Sequence, residues 1–266
     1  MALNDIAHGA VNKKTTLMNT DLPRFGVRAI LAGVYLTLAT GFAAVGGGAV
    51  EALAPGLGGI IFSFLFGFGL FVIVILNADL ATGNMMFGCY GATTKQISWP
   101  MALKFALVTT LFNLVGAIIV ALLLAVSAKY QHMDNTHFLM GLVEGKLAKS
   151  WWGAMIEGIG ANFVVNMAII GALYAKDFAS KFTVIVPTLA IFVGLSLEHV
   201  IANFSLMSIA TAVELIDGGA AFDGAVPVAA IAWNWLWVWI GNFIGGGVLI
   251  GSVYAWLNKG PEVYRD

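Results

Sequence analysis

The stretch GLSLEHVIANF, residues 194–204, sets an acid and a histidine, Glu198 and His199, inside a run that otherwise reads as a membrane span, with Asn203 four residues after the histidine. An ionisable side chain at mid-membrane costs about 2.5–3.5 kcal/mol on insertion scales, so two adjacent ones mark a place where the helix is interrupted and where function is expected. Backbone polar groups freed by such an interruption are tolerated at that depth only against protein or a water-lined cavity. The stretch therefore predicts a broken helix facing a path through the protein.

The rest of the chain fits a membrane solvent. Of 266 residues, 60% are hydrophobic and only 10% charged, where a soluble domain carries roughly a quarter charged residues; mean hydropathy is +0.91. Six apolar segments, about 27–50, 58–78, 101–128, 151–175, 181–197 and 229–257, approach or exceed the length that crosses the hydrocarbon layer as a helix. The third and sixth read as long and uninterrupted. The second ends abruptly in NADLATGN, residues 77–84, as the fifth ends in SLEHVIAN, residues 196–203.

With both termini inside, the cytoplasmic segments hold ten basic residues, Lys13, Lys14, Arg24, Arg28, Lys95, Lys104, Lys176, Lys181, Lys259 and Arg265, and the external loops hold three, Lys129, Lys146 and Lys149. That bias sets the orientation, and it works only if the two interrupted segments each count as one crossing. Asn113-x-x-Gly116 in the third segment matches Asn242-x-x-Gly245 in the sixth. The halves thus read as three spans plus three spans, and an odd number places them in opposite orientations, with the solute path where the broken helices meet. The expectation is one all-α transmembrane domain over 1–266: a cytoplasmic N-terminal arm over 1–26, helical in part, a first repeat over 27–128 and a second over 151–257.

Several classes are disfavoured. A net charge of −1 offers no basic surface for nucleic acid. The single cysteine, Cys89, cannot close an internal disulfide, the first 26 residues lack the apolar core of a secretory signal, and no phosphate-binding loop for ATP is present. No second His or Cys stands at ligand spacing from His199, so neither metal nor cofactor is expected. An enzyme is disfavoured because no second catalytic group is placed to work with His199. At the breaks, Asp79 and Glu198 are expected to cap half-helices and tie the loops down through backbone N–H bonds. Asn162, mid-way along the fourth span, needs a partner, and an Asn162–His199 pair would satisfy both. Asn113 and Asn242 are expected to pin helices to the broken loops. His199 alone could equally be a packed structural residue.

NADLATGN, GIGANFVVNMAI, SLEHVIANF and GNFIGGG, in that order and spacing, resemble the motifs of the formate–nitrite transporter family, over nearly the whole chain from about residue 28 to 257. The resemblance implies an aquaporin-like protomer of six transmembrane helices with inverted three-helix repeats, the second and fifth interrupted, assembled as a homopentamer in the inner membrane. It implies passage of small monovalent weak-acid anions such as formate, nitrite, hydrosulfide, acetate or lactate, with protons and the lipid bilayer as the other partners. His199 matches the family's central pore histidine, Asn162 its partner and Thr82 the threonine of the first break. Lys146 matches a vestibule lysine, Phe66 and Phe192 an outer constriction, and Leu70 and Leu80 an inner one. Ala81 departs from the pattern, since formate channels commonly have Phe there; the smaller side chain implies a wider or differently sealed inner slit and keeps acetate, lactate and hydrosulfide beside formate. A pore for neutral solutes (water, glycerol or ammonia) is the reading from another class.

Overall fold

The computed structural model describes residues 3–217, 221–222 and 225–260, and within them the chain is helical; Arg265 lies outside the described residues. Helix α1 is Leu3–Thr20, α2 Leu22–Leu53, α3 Gly58–Ile75, α4 Ala81–Thr93, α5 Trp99–Ala125, α6 Phe138–Leu147, α7 Trp151–Tyr174, α8 Phe178–Gly194, α9 Val200–Asp217 and α10 Val228–Asn242. Beyond α10 a π-helical segment, Phe243–Ser252, runs into the short α11, Val253–Leu257. Five helices are long and apolar enough to cross a membrane, Leu22–Leu53, Gly58–Ile75, Trp99–Ala125, Trp151–Tyr174 and Val228–Leu257; α8 and α9 are shorter apolar helices.

The polar stretches interrupt helices where the sequence leads one to expect. After α3 the chain leaves helical geometry at residues 76–80, and after α8 at residues 195–199. Asn77 and Ser196 both take φ 55° at these exits, a left-handed conformation that a short polar side chain tolerates better than a branched one. The turns are closed alike: Ala78 N–H donates to Ile73 O, and Leu197 N–H donates to Phe192 O.

Each restart is satisfied by one asparagine. Asn113 on α5 accepts from Ala81 N–H at 2.8 Å and donates to Ala29 O at 2.7 Å and Asp79 O at 2.9 Å. Asn242, at the end of α10, accepts from Val200 N–H at 2.8 Å and donates to Gly158 O at 2.8 Å and Glu198 O at 2.9 Å. Both amides are fully buried. Neither Asp79 nor Glu198 caps a helix through backbone N–H, contrary to the expectation: the asparagines already occupy the first amide and the loop carbonyl, so the carboxylates turn outward to cations.

Packing follows the same pairing. Helix α2 lies against α3 and α5, α7 lies against α8 and α10, and α3 meets α8 at the centre. One turn past each asparagine, Gly116 abuts Ile30 O and Gly245 abuts Ile159 O, where an added Cβ would collide with the carbonyl. These are small-residue contacts of the kind that membrane helices use to bring backbones together. The sixth predicted span is not a plain α-helix. Asn162 Nδ2 on α7 donates to Asn242 O at 2.7 Å, and the Asn162 amide lies against Gly246. A side chain entering the hydrogen-bond ladder widens it into the π form, and Gly245, Gly246 and Gly247 leave room for it.

The outer face is apolar. Along α5, Leu103, Leu107, Leu111, Val115, Ile118, Ile119, Leu122 and Leu123 are exposed, a stripe far larger than a soluble monomer leaves in water.

Replacing Asn113 or Asn242 by Ala strands a backbone N–H and a loop carbonyl in the core, at about 1–3 kcal/mol for each unsatisfied group; either variant is expected to melt at least ~5 °C lower in detergent by thermal shift. Gly245→Val is expected to lose folded protein, measured as the monodisperse fraction in size-exclusion chromatography, while Gly59→Val, at a glycine with open space around it, keeps it.

Candidate functional site

Each break presents a buried carboxylate to an asparagine on one side and to cations on the other. At the second break Glu198 Oε2 accepts from Asn203 Nδ2 at 2.6 Å, while Oε1 takes Lys146 Nζ at 3.0 Å and Lys149 Nζ at 2.8 Å. Lys149 also pairs with Glu157 of α7 and donates to Ser196 O. Asn234 of α10 accepts from Asn203 at 2.8 Å. At the first break Asp79 accepts from Asn84 Nδ2 at 3.3 Å and pairs with Lys14 of α1, with Arg28 Nε at 3.8 Å. Asn84 in turn donates to Thr109 of α5. Burial works against the Lys149 charge, but the Glu198 and Glu157 carboxylates more than offset it and hold its pKa above the ordinary lysine value.

Between the two breaks lies the histidine. His199 is 2% exposed, and its Nε2 stands 2.9 Å from Thr82 Oγ1 in the first turn of α4. Its Nδ1 accepts from Ala202 N–H at 3.2 Å, so the neutral ring carries its proton on Nε2 and donates it to Thr82. Thr82 then keeps its own O–H as a donor. An imidazolium would set Nδ1–H against Ala202 N–H.

Asn162 is not the direct partner of the ring. Its Nδ2 donates to Thr82 O at 3.2 Å as well as to Asn242 O, and its Oδ1 accepts from Asn166 Nδ2 at 2.9 Å. It reaches His199 only through Thr82, because holding the π segment and the α4 turn uses its donor capacity. Asn166 Nδ2 also approaches Thr82 O, at 3.3 Å, and its Oδ1 is buried with no hydrogen-bond partner among the described residues.

Above His199 the structure opens. A cavity of about 220 Å³ is lined by Phe62, Phe66, Phe192, Lys146, Lys149, Ala202 and their neighbours. The Phe66 and Phe192 rings meet edge to face at 5.9 Å, and Phe192 lies 5.7 Å from the imidazole. The two phenylalanines thus form a floor with His199 directly behind it. Leu70 on α3 and Leu80, just before α4, are both buried, as is Ala81 at the start of α4.

Sequence reasoning missed the cations that hold the breaks. Lys14 lies 65 positions from Asp79 on a polar arm, and Glu157 reads as one charge in an apolar helix. Two local signals were present: Lys149 follows Lys146 by three residues, just beyond the end of α6, and Asn166 follows Asn162 by four, which puts those two on one face of α7.

The sequence model of the formate/nitrite transporter family matches residues 4–256. The formate channel BtFdhC of Bacillus thuringiensis is 30% identical over 198 residues, 74% of this chain and 71% of that one. Among solved structures, an FNT family ion channel superposes with a TM-score of 0.87 at 25% identity, covering 97% of this chain and 98% of the other. A pentameric formate channel with formate bound superposes with a TM-score of 0.70 at 22% identity, covering 94% and 97%; at that identity the likeness speaks for the fold alone. A match of that extent, with the broken helices and a buried His–Thr pair between them, makes the chain a member of the formate/nitrite transporter family.

Proposed function

We propose that the chain is a channel for small monovalent anions of weak acids, formate and nitrite first, which pass its constrictions as the neutral acid after a proton exchange near His199. The observation that carries this is the position of the His199–Thr82 pair, behind an apolar floor and between two helix starts. A bare carboxylate entering such a place loses its hydration at a cost of several kcal/mol even after relaxation. Protonating an acid of pKa about 4 at pH 7 costs about 3 units, or about 4 kcal/mol. Neutralisation is thus the cheaper route past Phe66 and Phe192.

The groups present suit that exchange. An entering anion meets the Lys146 and Lys149 ammonium groups, which line the cavity, while their partners Glu198 and Glu157 stay outside its lining. This draws the anion in, and burial below raises its proton affinity. Ala202 N–H occupies Nδ1 of His199, so the neutral ring offers a hydrogen bond through Nε2 and gives up no proton of its own; the proton that neutralises the anion arrives by way of water from the vestibule. Thr82 O–H offers a second donor, and the unpartnered Asn166 Oδ1 an acceptor for the acid's O–H.

The matched roles of Asn113 and Asn242 support one aquaporin-like domain of six crossings: two inverted three-helix repeats over 27–128 and 151–257, with α3–α4 and α8–α9 each spanning once. In this reading both termini are cytoplasmic in the cell membrane, Leu70 and Leu80 form the inner constriction, and the exposed apolar stripes face lipid and sister protomers in a homopentamer.

Formate uptake into proteoliposomes is expected to rise as external pH falls from 7 to 5, because the neutral fraction of such an acid grows tenfold per unit. His199→Ala is expected to slow it at least tenfold throughout; uptake unchanged by the substitution at every pH would rule the histidine's part out. Swelling assays are expected to show slower entry of water and glycerol than of formate, which separates this reading from a neutral-solute pore.

A further inference from the structure

The contacts that pin the breaks also fix which residues of the two halves correspond. Asn113 donates to Ala29 O as Asn242 donates to Gly158 O, and Gly116 meets Ile30 O as Gly245 meets Ile159 O. The same sequence offset relates all four pairs. The residues immediately before Ala29 and Gly158, Arg28 and Glu157, are therefore equivalent positions at the two mouths, and they carry opposite charge.

At the mouth beside the first break, Arg28 donates through Nε to Asn77 O at 3.2 Å and approaches Asp79. It lines a cavity of about 90 Å³ together with Lys13, Lys14 and Asp79. Lys14 is committed to Asp79 and Asn84, whereas Lys13 is exposed and makes no ion pair among the described residues. Three cations thus face one carboxylate. At the mouth beside the second break, Lys146 and Lys149 face two carboxylates, Glu198 and Glu157, so each cation there has a carboxylate partner and the net pull on an anion is the weaker of the two.

We propose that Arg28, with Lys13 and Lys14, forms a monovalent-anion holding site at the mouth covered by α1, and that Glu157 keeps the opposite mouth from being an equal one. The guanidinium is suited to this because Nε is used on backbone and the outer N–H fork remains for a carboxylate. The cavity is of a size for an anion with few heavy atoms. Its consequence is sidedness: the protein loads its anion at lower concentration from the α1 side than from the other. The inference rests on the anion-channel reading above.

The test uses the full-length protein in proteoliposomes, with orientation scored by protease access to an N-terminal tag and formate as the probe. Half-saturating formate is measured from each side. Arg28→Gln is expected to raise it about three- to tenfold from the N-terminal side only, as loss of one nearby charge implies, and Arg28→Lys to restore most of the effect. Lys13→Gln, at an exposed position whose loss cannot disturb the core, is expected to raise it by a smaller factor on the same side. Glu157→Gln is expected to lower it from the opposite side. All these differences should shrink in high potassium gluconate, since exposed charge is screened. Normal wild-type flux with Arg28→Gln and Lys13→Gln indistinguishable from wild type on the N-terminal side, or altered equally on both sides, overturns the site and leaves the function reading standing. A wild-type protein that passes no formate from either side overturns that reading and the site with it.

Discussion

Two helices that stop in the middle of the protein expose backbone groups that lipid cannot satisfy, and everything else in the structure is arranged around that debt. Asn113 and Asn242 supply the answer with three hydrogen bonds apiece: to the first amide of the restarted helix, to the loop carbonyl before it, and to a neighbouring helix. A buried asparagine has this capacity because its amide offers an acceptor and two donors on one short stem. The glycines one turn on bring α2 against α5, and α7 against the π-helical segment that continues α10, closely enough for those bonds to form. With the asparagines on the backbone, Asp79 and Glu198 are left to hold cations, which is how charge comes to stand at both mouths.

The same arrangement explains the centre. Restarting α4 and α9 toward one another sets Thr82 against His199. The ring's second nitrogen is taken by Ala202 N–H, so its tautomer follows from the turn itself and needs no distant partner. Asn162 binds the Thr82 carbonyl and the Asn242 carbonyl together. It thereby links the first break to the last helix, and the π segment is the price of that insertion. The glycines of GNFIGGG accordingly serve the width of the ladder, and their presence in a membrane helix is a packing requirement before it is a flexible one.

Much of this was legible because its signals are local. Polar NADLATGN and SLEHVIAN cannot continue an apolar helix, so the breaks fall within a few residues of their expected places. Asn-x-x-Gly is a repeated pattern, and it led directly to the pins. Five of the six apolar segments fall on helices long and apolar enough to cross a membrane, since lipid imposes length and composition on each one independently, and the segment at 181–197 falls on the shorter α8. What escaped notice is long-range. The pairing of Lys14 with Asp79 requires α1 to fold back beneath the first break, and a polar arm carries no period that says so. Asp79 and Glu198 looked like caps because carboxylates at helix starts usually are; the asparagines displaced them, and that follows only from three-dimensional packing. An Asn162–His199 pair was reasonable for two buried polar groups near one depth, but Thr82 intervenes.

The two halves agree where the backbone must be satisfied and differ where a solute would pass. Asn77 and Ser196, Asp79 and Glu198, and Asn84 and Asn203 repeat one another at equal spacing, with the same turn geometry or the same hydrogen bonds. In that register Leu80 of the first break stands where His199 stands in the second. One half therefore contributes an apolar side chain to the middle and the other contributes a buried imidazole that donates a hydrogen bond through Nε2. Arg28 and Glu157 extend the difference to the mouths. Symmetry of the scaffold follows from satisfying identical backbone breaks; the asymmetry lies in side chains, Leu80 against His199 and Arg28 against Glu157, that take no part in the hydrogen bonds by which Asn113 and Asn242 pin the restarted helices.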